Sequence, residues 1–242
     1  MIQAMDELFI RKIRFEWDKI RDDSYLKNIE AFKGIDAIDF NKRITFFVGE
    51  NGSGKSTLLE AIAIAHGFNP EGGTKSYAFS TRDTHSELCD AIVEHKSMRR
   101  EEWGFFLRAE SFYNVATQEE EYVDKKHFSV GYHRQSHGES FLKFSESNFQ
   151  SDGLYFFDEP EAALSPQRQL SLLAEMYRCA QEGSQFFIAT HSPILLAIPG
   201  AEILCFDDGA IHACEYEETG SYQVTKLFMD NRQLMLSQLL AD

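Results

Sequence analysis

Nine consecutive residues, Gly49-Glu50-Asn51-Gly52-Ser53-Gly54-Lys55-Ser56-Thr57, constrain the architecture of this chain more than any other stretch. They fit the pattern G-x-x-x-x-G-K-S/T. Ahead of them, Arg43 to Val48 is a β-branched and aromatic run that predicts a buried strand; behind them, Leu58 to His66 predicts a helix. In a strand, glycine loop, helix unit the glycines let successive backbone N–H groups turn onto one anion. The helix adds the positive end of its dipole, and Lys55 adds a full charge. The pattern therefore assigns Gly49, Asn51, Gly52, Ser53, Gly54 and Lys55 to the phosphates of a nucleotide. It assigns Ser56 to a magnesium ion and Thr57 to a further phosphate contact.

The chain of 242 residues is long enough for one α/β domain with a small subdomain and short for two full domains. Its net charge of −15 opposes a broad electrostatic grip on nucleic acid or on an anionic membrane, although a local basic groove stays open. Cys89, Cys179, Cys205 and Cys214 form no C-x-x-C pair and no zinc spacing, which reads as reduced thiols in a cytoplasmic protein. Met1 to Phe9 carries Asp6 and Glu7 and lacks the basic head and apolar run of a signal peptide. The richest apolar stretch, Phe186 to Phe206, is broken by His191, Pro193, Pro199, Gly200 and Glu202, so no membrane insertion is expected.

Leu8 to Trp17 and Ile35 to Phe40 read as strands of an antiparallel layer ahead of the glycine loop. Tyr25 and Phe32 lie between them, either as aromatics that stack on a base or as core residues. Ser86 to Lys96 has helical spacing, Arg99 to Glu102 reads as a solvated charged face, and Trp103 to Leu107 as a strand. A mostly helical or irregular subdomain follows, over about residues 111–150, with a helix opening near Ser136. Gly153 to Phe157 predicts a central strand that ends in Asp158-Glu159-Pro160-Glu161. Ser165-Pro166 starts a helix whose expected buried face is Leu170, Leu173, Ala174 and Tyr177. Gln185 to Thr190 is a further strand, ending in His191-Ser192-Pro193. Ala201 to Phe206 and Ala210 to Tyr216 flank Asp207-Asp208-Gly209 as a hairpin, and a last helix runs from about Asn231 to Leu240.

A phosphate loop needs a second strand to hold magnesium and a group that activates water before hydrolysis is fast. The carboxyl ends of parallel strands converge on one crevice, so Asp158 is expected beside Ser56 and the ion, and Glu159 where it can deprotonate the attacking water.

The loop, the strand with its acidic tip, and Ala189-Thr190-His191-Ser192-Pro193 together resemble an ABC-type ATPase. Within that superfamily the chain is most similar to the RecF-like, chromosome-maintenance-like and OLD-like branch, and especially to small stand-alone bacterial "AAA family" ATPases. The resemblance implies a P-loop NTPase head over 1–242, with a mostly parallel central sheet, an antiparallel β layer and a small helical subdomain. It implies ATP and magnesium as cofactors, catalytic roles for Lys55, Glu159 and His191, with His191 sensing the terminal phosphate, and a head-to-tail homodimer. In the family a signature of the type L-S-G-G-Q caps the nucleotide of the partner. Gln135-Ser136-His137-Gly138-Glu139 occupies that place, departing at His137 and Glu139, and leaves Ser136, Gly138 and Glu139 as the contacts. Where the family has a glutamine on magnesium and water, this chain offers Glu110, and Ala162 to Ser165 matches the stretch lying across the dimer interface. His133 and His137 have no third ligand nearby and are not expected to hold a metal. Ser111 to Arg134 is too short for a coiled-coil arm. The role implied is DNA repair or phage defence; alternatives are an ATP-gated module acting on a partner protein and a transporter's nucleotide-binding subunit.

Overall fold

The computed structural model describes residues 8–75, 86–108 and 149–241. Its centre is a six-stranded sheet built from β3 (Ile44–Val48), β5 (Trp103–Arg108), β6 (Gly153–Asp158), β7 (Gln185–Ala189), β8 (Glu202–Cys205) and β9 (His212–Cys214). The order is β5-β6-β7-β3-β8-β9, and only β9 runs against its neighbour. Parallel sheets are covered on both faces, which is why β3, β6 and β7 read as continuous apolar runs. Alternation still divides the two cores. Phe47, Leu154, Phe156, Phe187 and Ala189 face α1 (Lys55–Ala65) and a small second sheet, whereas Phe46, Tyr155, Phe157, Phe186 and Ile188 face α3 (Pro166–Gln181).

The second sheet has the order β2-β1-β4, with β1 (Ile10–Phe15) pairing antiparallel to both β2 (Ala37–Asp39) and β4 (Ile92–Lys96). The expected antiparallel layer is present, but its third strand comes after the glycine loop. Ser86 to Lys96 is not one helix: a single turn, α2 (Leu88–Ala91), gives way to β4. The β-branched pair Ile92-Val93 meets Phe15 and Arg14 across the ladder, and that pairing overrides the helical spacing.

Two buried polar contacts join the layers. The Gln185 side chain in β7 accepts from Phe9 N (2.8 Å) and Ile10 N (3.0 Å) and donates to Ile10 O (2.8 Å). His66, at the end of α1, lies between Glu94 of β4 (Nδ1 to Oε2, 3.0 Å) and Glu101 (Nε2 to Oε1, 3.1 Å). Glu101 also pairs with Lys75, and Arg99 pairs with Asp152 and lies over the Phe9 ring. The segment from Arg99 to Glu102 is thus partly an interior seam, not the solvated face its charges suggest. Burial alone would raise the Glu101 carboxyl; His66 and Lys75 overcome it and hold the group well below the usual carboxylate range.

The stripe that α3 buries is Leu172, Met176, Cys179 and Ala180, so the expected phase of Leu170 and Tyr177 is wrong: they are 52% and 39% exposed. Phe32 is a core residue beside Trp17 and Phe15, and Tyr25 is exposed. The hairpin of β8 and β9 forms as expected. Beyond it, α4 (Gly220–Asp230), unmarked in the sequence reading, precedes α5 (Arg232–Leu239). Among the described residues no helix is long and apolar enough to cross a membrane.

Candidate nucleotide site

The strand order explains how distant motifs meet. β7 lies between β3 and β6, so the carboxyl ends of the glycine-loop strand, the histidine strand and the acidic strand stand in a row. At the end of β3 the chain turns through Gly49, Gly52 and Gly54, whose φ values of 140°, 82° and 103° lie where side chains are strained. Asn51 and Gly52 are exposed at the tip, while Ser53, Ser56 and Thr57 are half-buried. Gly54 is the N-cap of α1, and a Cβ there would sit 2.9 Å from the Phe32 ring, so the second sheet's aromatic cluster presses directly on the loop.

Lys55 is buried and turned back on the loop, donating to Gly49 O and Glu50 O at 2.7 Å each. Burial pushes its ammonium pKa down; Asp207, then Glu159, Asp158 and Glu50, work against that. Ser56 Oγ donates to Asp158 Oδ1 at 2.7 Å. Burial pushes the Asp158 carboxyl up to about 6, against the Ser56 hydrogen bond and the charge of Arg108. Arg108 pairs in register with Asp158 across β5 and β6, and its guanidinium reaches Glu60 of α1 at 2.8 Å.

Glu159 occupies the left-handed region (φ 48°, ψ 52°) although it is not glycine, a conformation costing about 1 kcal/mol or more. Its N–H donates to Ala189 O at 2.9 Å, fixing the strained residue to the neighbouring strand. The His191 N–H donates to Glu161 Oε1 (2.6 Å), and Ser192 Oγ donates to Gln169 Oε1 (2.6 Å). Acidic tip, histidine strand and α3 are thereby tied together. His191 Nε2, Glu161 Oε2 and Ser53 Oγ are buried without a hydrogen-bond partner among the described residues. Buried polar atoms of this kind are uncommon, and a cluster of them beside a glycine loop leaves donors and acceptors for a polar ligand.

The described donor set suits a nucleotide with magnesium. Ser56 and Asp158 offer two hard oxygens in contact, the ligand type that magnesium takes, and no group of three or more His, Cys, Asp or Glu among the described residues forms a competing metal site. Glu110, Ser136, Gly138 and Glu139 lie outside the described residues. Arg108, Gln169 and Asp207 are site neighbours the sequence reading did not single out. Arg108 could have been found as a charge ending a buried strand. Asp207 could not, because Asp207-Asp208-Gly209 already has a sufficient explanation as a turn.

Comparison with known proteins finds family models and solved structures to which the chain is similar. The AAA-domain family model matches residues 25–170. A second AAA-domain model, whose description names an AbiEii toxin of a type IV TA system, matches residues 147–197. Among solved structures, the SMC head domain from Thermotoga maritima is 14% identical, with 86% of this chain and 100% of that one covered and a TM-score of 0.46. MJ1267, an ATP-binding cassette of an ABC transporter, is 14% identical over 94% of this chain and 98% of that one, with a TM-score of 0.41. The first family match takes in the glycine loop, the acidic strand end and more than half of the chain. The chain therefore belongs to the AAA-domain family.

Proposed function

We propose that this chain binds MgATP on the Gly49–Thr57 loop and hydrolyses it. The observation that carries the reading is the 2.7 Å hydrogen bond from Ser56 to the buried Asp158, which joins the two motifs a phosphohydrolase needs. The strained Glu159 and the unpartnered His191 Nε2 beside it support the same reading. Loop amides from Gly49 to Thr57 and the Lys55 ammonium grip the phosphates once Lys55 turns away from its own carbonyls. Ser56 and Asp158 would hold the magnesium, with Glu110 as the further ligand that the family resemblance implies. When bound, the ion neutralises phosphate charge and steadies the leaving oxygen. Glu159 takes the proton of the attacking water as its oxygen bonds to the terminal phosphorus and the bond to ADP breaks. His191 donates from Nε2 to the terminal phosphate.

Ser136, Gly138 and Glu139 of a second copy complete the site, so that two ATP molecules are enclosed in a head-to-tail homodimer and hydrolysis releases it. The subdomain over about 111–150 carries those residues within a single-domain head. The reading is of a cytoplasmic protein, supported by four free thiols. DNA repair or phage defence is the process that the family resemblance supports.

The test is Glu159→Gln. It should bind ATP, slow phosphate release by about 10²–10⁴-fold, and elute as a dimer with saturating MgATP while the wild type does not. A variant that stays monomeric and releases phosphate at the wild-type rate refutes both the base and the dimer. A second reading, an ATP-gated module acting on a protein partner, is favoured by Val224, Leu227, Met229, Leu234, Leu239 and Leu240, all exposed at the C-terminal helices. ATPase stimulation by DNA that falls with salt would favour direct DNA engagement over that module.

A further inference from the structure

One carboxylate beside the loop, Asp207, belongs to none of the three motifs. β8 pairs in parallel with β3 through Val48 and Cys205, and the Phe206 N–H donates to Val48 O (2.8 Å), extending the pairing past the strand ends. The next residue, Asp207, is thereby carried alongside the first turn of the glycine loop. Its Oδ1 accepts from the Glu50 backbone N–H at 2.8 Å, and its Oδ2 faces the Cys205 thiol at 3.5 Å. A Cβ on Gly49 would lie 2.9 Å from the same Oδ1, so the glycine is needed there for contact as well as for its φ of 140°. Asp207 also lines a cavity of about 220 Å³ beside the loop, together with Gly49, Glu50, Thr190 and His191.

We infer that Asp207 is a positioning residue for the phosphate loop: it pins the Glu50 amide in the nucleotide-free turn and sets a negative charge beside the phosphate site. The inference rests on the reading that this loop takes a nucleoside triphosphate. Its two parts act in opposite directions on affinity. The acceptor oxygen orders the loop before binding and so saves the cost of ordering it at that moment. The negative charge sits beside incoming phosphates and repels them. An asparagine keeps an acceptor oxygen and removes the charge; an alanine removes both.

The experiment compares wild type, Asp207→Asn, Asp207→Ala and, as a control for surface charge, Asp208→Asn, whose side chain is exposed on the turn. Titration with a fluorescent ATP analogue and magnesium should give Asp207→Ala about 3–10-fold weaker binding, the size of one lost hydrogen bond. Asp207→Asn should bind at least as tightly as wild type, and Asp208→Asn should match it. Hydrogen exchange over residues 49–57 without nucleotide should be faster in Asp207→Ala and unchanged in Asp207→Asn. Equal binding and equal exchange in Asp207→Ala would overturn the inference, as would an asparagine variant as impaired as the alanine one. The exchange measurement needs no ligand. A wild type that binds no nucleotide would therefore sink the functional reading, while the loop clamp is still judged by exchange.

Discussion

Replacing Asp158 by asparagine should stabilise the nucleotide-free protein while abolishing its use of magnesium. In the folded chain, burial moves this carboxyl from 3.8 up to about 6. At about 1.4 kcal/mol per pH unit, the charged form is penalised by about 3 kcal/mol relative to the unfolded chain. The sign follows from proton uptake. Below the unfolded value both states are protonated and nothing is lost. As pH rises from about 4 to 6 the unfolded chain releases its proton and the folded one keeps it, so stability falls. Above the folded value the whole penalty is present. Urea titrations in EDTA, without nucleotide, should therefore show wild type losing about 2 kcal/mol relative to Asp158→Asn between about pH 4.5 and 7.5. With a urea dependence of about 2 kcal/mol/M, that is a change of about 1 M in the difference between midpoints. The asparagine can still accept from Ser56, which keeps the comparison to charge alone. Midpoints that run parallel for the two proteins across this range would show that the carboxylate is solvated or already compensated, and the argument from burial would fail.

Two further substitutions test how the layers are held. Gln185→Met keeps the volume but leaves Phe9 N, Ile10 N and Ile10 O unpaired in a fully buried place. A loss of about 3–5 kcal/mol in chemical unfolding is expected, and a loss under about 1 kcal/mol would mean the two sheets are not joined there. Gly54→Ala combines a φ of 103° with a methyl 2.9 Å from the Phe32 ring; thermal unfolding without nucleotide should register about 1–3 kcal/mol. Adding Phe32→Leu to Gly54→Ala should restore part of that if the ring contact matters.

Local pattern carried much of the architecture. Ile44 to Val48, Gly153 to Phe157 and Gln185 to Ala189 are buried on both faces, so their strand character depends little on what lies beside them. The hairpin around Asp207-Asp208-Gly209 is local as well. Features decided by remote partners were not legible. Ile92 to Lys96 becomes a strand because β1 offers an open edge, and Leu170 turns outward because the stripe through Leu172, Met176 and Cys179 meets the sheet instead. Gln185 would pass as a solvent-facing strand start in any one-dimensional reading. Its burial depends on chain that precedes it by more than 170 residues.

The site shows the same division at finer scale. The loop pattern named Lys55 and Ser56, the end of a buried strand named Asp158 and Glu159, and the family resemblance named His191. None of these named their energetic state, because it comes from what surrounds them. Lys55 and Asp158 carry opposite charges, and burial shifts each toward its neutral form, the ammonium down and the carboxyl up. Glu159 adds backbone strain, and His191 Nε2 and Ser53 Oγ add unmet hydrogen-bonding capacity. Each of these is a cost to the empty protein that a ligand with phosphate oxygens and a divalent cation can relieve. They gather at the ends of three adjacent strands while the strands themselves are apolar and fully packed. Folding is thus driven by the sheet, and the destabilised strand ends are what nucleotide binding can draw on. It follows that nucleotide should stabilise the fold most at the pH where Asp158 is charged, the condition under which the empty site is least stable.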